Sequence, residues 1–317
     1  MQSRGIEVIH QPWCRDFTSW IAANGAEVDE VLLSRPSVAV EILHPLRTHC
    51  RAPIVFYGHD LHFARMKLQH AATGGVPSLA EIEEMEALER RIWRMVDMVL
   101  YPSVEEIDLV HALEPGVRAE AIAGYALPAS APPAAPPQGN GSVLFVGGYG
   151  HAPNVDAAHW LAGEILPLLR RAMPATHLVL AGSKPPPDVL ALAGDHVEVT
   201  GTLSAEDLAR HYAQARVALC ALRFGGGVKF KVVEAMHAGV PVVTTSVGAQ
   251  GLPGLDQVCD IDDTAAGLAE ATLRLLRDDA AWMVRARQQT DYVASHFSLE
   301  AMRRSLEAIF ARASGRG

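Results

Sequence analysis

Lysine is scarce in this chain: of its 27 basic residues only four are lysines, at 67, 184, 229 and 231. A formal net charge of -9 and the lack of any basic run argue against a nucleic-acid partner. Cysteine is equally sparse. Cys14, Cys50, Cys220 and Cys259 lie far apart with no C-x-x-C pair, which excludes a zinc-finger or disulfide framework and fits a reducing compartment. No apolar run reaches about eighteen residues, and the opening MQSRGIEVIHQPW has no signal-peptide core. The expectation is a cytoplasmic protein. With 49% hydrophobic residues it can bury substantial cores, and 317 residues favour two domains over one.

Two of the four lysines sit together, directly after three consecutive glycines. The stretch Arg223 to Thr244 reads as a strand end, the turn Gly225-Gly226-Gly227, a helix of about three turns, a glycine stop and another strand. Glycines allow a ligand close to the backbone, and a helix start offers unpaired N–H groups and the positive end of its dipole. That is a seat for an anion. A solvated helix start is the plainer reading, with Lys231 and Glu234 no more than a weak i, i+3 pair. Spacing argues against it, since Gly227, Lys231, Glu234 and Ala238 would share one helix face. A lysine suits phosphate and a glutamate accepts from hydroxyls, so the set fits a nucleotide diphosphate joined to a sugar.

The run GGGVKFKVVEAMHAGVPVVTTSVGAQGL over 225–252 resembles the donor-binding signature of retaining glycosyltransferases of family 4, in the glycosyl transferases group 1 branch. The resemblance implies that Glu234 holds the donor ribose and Lys231 the diphosphate, with Gly225, Gly226, Gly227 and Lys229 lining the same site. Many relatives carry a second glutamate eight positions earlier, which here falls on Gly226. A second run, F-V-G-G-x-x-H-x-P-N-x-D-A from Phe145, is similar to the same branch and places Gly147, Gly148 and His151 beside the donor. Relatives put an Arg and a Lys in this loop; here there is neither, which shifts the charge burden to Lys229 and Lys231. Gly147-Gly148 could equally be a tight strand-to-helix connection. Thr202 either meets the nucleotide base or caps a helix.

Strands alternating with helices imply parallel sheets. Residues 5–10, 30–33, 53–57 and 98–101 read as strands of a first domain, with helices near 17–26, 38–50, 79–96 and 104–113 between and after them. The stretch Asp60-Leu61-His62-Phe63-Ala64-Arg65 follows a strand end, where open α/β sheets place ligands. It resembles a D-L-H-F-x-R stretch of the family, which implies His62 near the transferred sugar, Asp60 orienting and Arg65 in charge contact. A polar loop capping the next helix is the structural alternative. The first strand is of a type that in relatives follows an earlier strand, glycine loop and helix, so that opening unit is expected to be missing.

The organisation expected is α/β, two Rossmann-like domains facing a cleft (GT-B): 1–127 on the acceptor side, a Pro/Ala-rich linker at 128–141, a donor domain at 142–295, and a last helix at 296–317 crossing back. The activity implied is metal-independent, hexosyl-type transfer from a nucleotide diphosphate sugar to a glycan, lipid-linked or small-molecule acceptor. His62, Lys231 and Glu234 are the catalytic candidates, in surface-polysaccharide or glycoconjugate synthesis, with contact at the inner membrane face left open. The pair Asp260 and Asp262 looks like a metal-binding D-x-D, but helix capping suits its place at a strand end. An epimerase of the same fold and an inactive or fragmentary donor-binding module are the competing readings.

Overall fold

The computed structural model describes residues 5–9, 14–73, 75–137 and 142–315. The chain divides into two compact units, one of residues 1–124 with 303–317 and the other of residues 125–302.

In the first unit, β1 (Val31–Ser34), β2 (Ile54–Tyr57), β3 (Met98–Tyr101) and β4 (Ala119–Ala121) form a parallel sheet in the order β1-β2-β3-β4. Ile54, Val55, Phe56 and the whole of β3 are buried, the continuous apolar runs of a sheet covered on both faces. The helices are α1 (Phe17–Asn24), α2 (Pro36–His49), α3 (His62–Thr73), α4 (Leu79–Trp93) and α5 (Val104–Leu113). Ser78 and Ser103 start α4 and α5 through capping boxes with Glu81 and Glu106. The strand expected over 5–10 is not formed: residues 5–9 carry no strand, with Ile6, Val8 and Ile9 exposed, and residue 10 lies outside the described residues. Apolar alternation makes a strand only where a neighbour takes up the backbone groups, and among the described residues β1 pairs with β2 alone.

The second unit holds a six-stranded parallel sheet of β5 (Ser142–Val146), β6 (His177–Ala181), β7 (Val197–Gly201), β8 (Val217–Cys220), β9 (Val242–Thr244) and β10 (Asp260–Ile261). Its order is β10-β9-β8-β5-β6-β7. Counted within the unit this is 6-5-4-1-2-3, the doubly wound order, whose reversal falls between β5 and β8. Ligands of such sheets bind beyond the carboxyl ends of the strands at that reversal. The helices are α6 (Ala152–Trp160), α7 (Leu166–Ala172), α8 (Pro187–Leu190), α9 (Ala205–Gln214), α10 (Phe230–His237), α11 (Ser246–Ala249), α12 (Ala265–Arg277) and α13 (Asp279–His296). A π-helical turn at Leu161–Ile165 joins α6 to α7. The final helix, α14 (Leu299–Ala313), begins in this unit; its later part belongs to the first, where Arg312 Nε donates to Glu120 at 2.6 Å.

Candidate functional site

Three features converge at the β5/β8 reversal: the turn after β5, the start of α6, and α10 beyond the glycines. Helix α10 spans eight residues, about two turns rather than three, because Lys229 is its N-cap and Gly227 lies outside it. Gly225 and Gly227 have φ of 133° and 68°, conformations that suit glycine. The single face expected to run from Gly227 through Ala238 therefore does not exist, and Lys231 and Glu234 alone of the expected set are on the helix with side chains that reach polar partners.

The two lysines have different surroundings. Lys229 is buried, and its Nζ donates to the carbonyl oxygens of Gly225, Gly226 and Gly227, at 3.0 Å for Gly226. Successive carbonyls converging on one ammonium hold the glycine turn closed. Lys231 reaches back toward β5 instead. Its Nζ donates to Oδ1 of Asn154 and lies 4.6 Å from the centroid of the Phe145 ring, a cation–π contact. No carboxylate among the described residues pairs with it, and burial pulls its pKa down to about 8. A Cβ on Gly147 would come within 2.9 Å of that ammonium, so glycine makes the room it occupies.

The loop after β5 is packed as closely. Gly147 N donates to Ala181 O at 2.9 Å, and a Cβ on Gly182 would sit 1.8 Å from the Gly147 carbonyl oxygen. The glycine at 182 lets two strand ends meet there. Gly148 accepts through its carbonyl from Asn154 Nδ2 at 2.7 Å. His151 is the exposed N-cap of α6 with no side-chain capping bond, and Thr202 is exposed just past β7, where Ser204 is the cap of α9. Neither approaches Lys231 through any hydrogen bond of the described residues. Glu234 accepts from the buried Tyr212 hydroxyl of α9 at 2.9 Å, and burial together with that carboxylate raises the phenol's pKa. Asn154, Gly182 and Tyr212 are thus site neighbours that sequence reading did not single out; the P-N of the H-x-P-N run was the one available signal.

In the first unit the loop 58–62 is pinned by two carboxylates, one from α4 and one from α5. Glu89 of α4, fully buried, accepts from the backbone N–H of His62 at 3.2 Å and Phe63 at 3.1 Å, and from the Tyr101 hydroxyl at 3.3 Å. It thereby caps the start of α3. Glu106 accepts from Leu61 N at 3.1 Å, and burial raises its pKa. Against this frame His62 Nδ1 lies 3.0 Å from the Asp60 carbonyl oxygen, 3.4 Å from its Oδ1 and 3.5 Å from Glu89 Oε1. Hydrogen bonding to Glu89 raises the His62 pKa above 6.5, against the opposing effect of burial. Arg65 Nε donates to Asp60 Oδ2 at 2.6 Å, so Asp60 sits between Arg65 and His62. His59, at φ 68°, bonds to Ser34 Oγ, and its own pKa is lowered by burial.

The D-x-D lookalike is structural in its bonding. Asp260 pairs with Arg274 and with Arg285 at 3.1 Å, while Asp262 accepts from Thr264 N at 2.7 Å at the start of α12. Among the described residues no group of three or more His, Cys, Asp or Glu is arranged to hold a metal ion. None of the described helices is long and apolar enough to cross a membrane.

Residues 140–278, which contain the Lys231 site entire, match the family model described as Glycosyl transferases group 1. Nearly the whole chain is also similar in fold to solved glycosyltransferases. Sucrose-phosphate synthase of Thermosynechococcus elongatus is 20% identical with a TM-score of 0.66, over 95% of this chain and 78% of that one. A UDP-forming trehalose-phosphate synthase of Burkholderia xenovorans is 13% identical with a TM-score of 0.66, over 94% and 77%. TarM of S. aureus, in complex with fondaparinux, α-GlcNAc-glycerol and UDP, is 11% identical with a TM-score of 0.69, over 92% of this chain and 58% of that one. At these identities the likeness is one of architecture, two parallel-sheet domains of the GT-B type. No curated protein sequence matches the chain significantly.

Proposed function

We propose that the protein is a glycosyltransferase that takes a nucleotide diphosphate sugar and passes the sugar, with retention, to a glycan, lipid-linked or small-molecule acceptor without a metal ion. The observation that carries the reading is Lys231: a half-buried ammonium without a carboxylate partner among the described residues, beside Gly147 and Gly148 where a doubly wound sheet binds its ligand. As the bond from sugar to diphosphate breaks, negative charge grows on the leaving group, and a positioned cation favours that state over the ground state. Glu234 has one oxygen occupied by Tyr212, which orients the carboxylate so that the other can accept from a sugar hydroxyl of the donor. Lys229 supports the turn rather than the phosphate. His62, Asp60 and Arg65 are assigned to the transferred sugar or acceptor by the D-L-H-F-x-R resemblance, and the pinned loop gives His62 the fixed geometry such a role needs.

Two of the solved structures named above are described as UDP-forming or as UDP complexes, so radiolabelled UDP-sugars are the first donors to test. The purified protein should hydrolyse the donor slowly or transfer from it, equally with and without EDTA. Interconversion of the sugar would instead favour an epimerase, binding without turnover an inactive module, and a strict need for Mg²⁺ or Mn²⁺ would overturn the metal-free reading.

Tyr212→Phe removes one hydroxyl and little volume. Loss of this orienting bond should raise the donor KM roughly two- to tenfold, with the melting temperature lowered by no more than a few degrees. A lowered melting temperature at unchanged KM would show that the bond serves packing alone.

A further inference from the structure

We propose that Asn154 is the positioning residue of the donor site, tying the Lys231 ammonium to the glycine loop after β5 and leaving its charge free for a nucleoside diphosphate. The inference rests on the reading of Lys231 given above. Asn154 is 8% exposed and lies in the first turn of α6, 77 positions before Lys231. Its Oδ1 accepts from Lys231 Nζ and its Nδ2 donates to the Gly148 carbonyl at 2.7 Å. The amide can sit only this way round, because a flipped group would set NH₂ against an ammonium and oxygen against a carbonyl. One side chain therefore couples the helix that carries the cation to the loop that flanks the ligand.

The choice of amide over carboxylate has a chemical consequence. An aspartate there would form an ion pair with Lys231 and compete with the incoming diphosphate. An amide orients the ammonium by a neutral acceptor, weaker than the charge-assisted bonds a diphosphate offers, so the substrate can displace it. Other charges around the pair are engaged elsewhere. Asp156, two residues on, accepts from Arg223 Nε at 2.9 Å; Glu234, on Lys231's own helix, is bonded to Tyr212; Lys229 is turned into the glycine carbonyls. From β8 the Cys220 thiol faces Lys231, its pKa pushed up to about 11 by burial, so it stays neutral beside the lysine.

Four lysines make the test direct, since lysine labelled with ¹³C at Cε gives four signals to titrate. In Asn154→Asp the Lys231 signal should titrate well above its native value of about 8, toward or beyond the ordinary 10.5. UDP binding followed by calorimetry at pH 7.5 should weaken about three- to tenfold in Asn154→Ala, the loss of one oriented hydrogen bond. It should weaken further in Asn154→Asp, and both variants should remain folded, with melting temperatures lowered by no more than several degrees. Lys231→Ala is the reference. If it weakens UDP binding while both Asn154 variants bind like the native protein and the titration does not move, the assignment of Asn154 is overturned and the diphosphate reading stands. If Lys231→Ala itself binds UDP normally, the underlying reading fails, and with it the role of Asn154.

Discussion

Lys231→Ala is expected to weaken UDP binding by about ten- to a hundredfold, the loss of one charge-assisted contact of roughly 1.5–3 kcal/mol. Because its surroundings are Asn154, Phe145, Gly147 and Cys220, with no ion pair among the described residues, truncation strands no carboxylate there, and the fold should survive. Lys229→Ala should behave in the opposite way: it removes the donor shared by three glycine carbonyls, so the melting temperature drops and the turn loosens. Burial holds Lys231 at about 8, so its charged fraction falls as the pH rises through that value. Nucleotide binding favours the cation and should weaken on the alkaline side in the native protein, and this limb should vanish in Lys231→Ala. Calorimetry at pH 6.5, 8 and 9.5 measures it; equal affinity for native and variant at pH 6.5 would remove Lys231 from the donor site.

Glu89→Ala should destabilise the first unit by about 3–5 kcal/mol, the cost of breaking a buried charged network. Three donors, His62 N, Phe63 N and the Tyr101 hydroxyl, lose a fully buried acceptor, and each unsatisfied group costs roughly 1–3 kcal/mol. The melting transition assigned to that unit should fall by on the order of 10 °C. The His62 contribution has a definite sign. Its folded pKa is raised above 6.5, so the stability it adds is full below about pH 6.5 and is lost as the pH rises through the folded value. In Glu89→Ala that pH dependence should flatten, and the ¹H-NMR titration of His62 should move down. A melting temperature within 2 °C of native would show that water replaces the carboxylate at little cost. Glu83→Ala, on the same helix and exposed, serves as the control.

The alternation of short apolar runs with helical periods, read by itself, determined an α/β chain of two parallel sheets, because a strand buried on both faces and a helix with one apolar stripe leave opposite imprints on local composition. Capping boxes at Ser78 and Ser103 are local in the same sense, each joining residues three positions apart. The glycine triplet and the two lysines after it likewise marked the candidate site. Tertiary structure alone decided what each of those lysines does. Lys229 and Lys231 are two positions apart and alike in sequence, yet the positive φ of Gly225 and Gly227 folds the turn's carbonyls onto the first, and Asn154 claims the second from 77 positions away. Tyr212 reaches Glu234 across 22 positions, Glu89 reaches His62 across 27, and the room for Gly147 depends on a glycine at 182. Contacts of this separation come from strand order and helix packing, and a local pattern carries no trace of them. Residues 5–9 make the same point in reverse: their apolar alternation suits a strand, but a strand is a pairing of backbones, and no neighbouring strand among the described residues completes it.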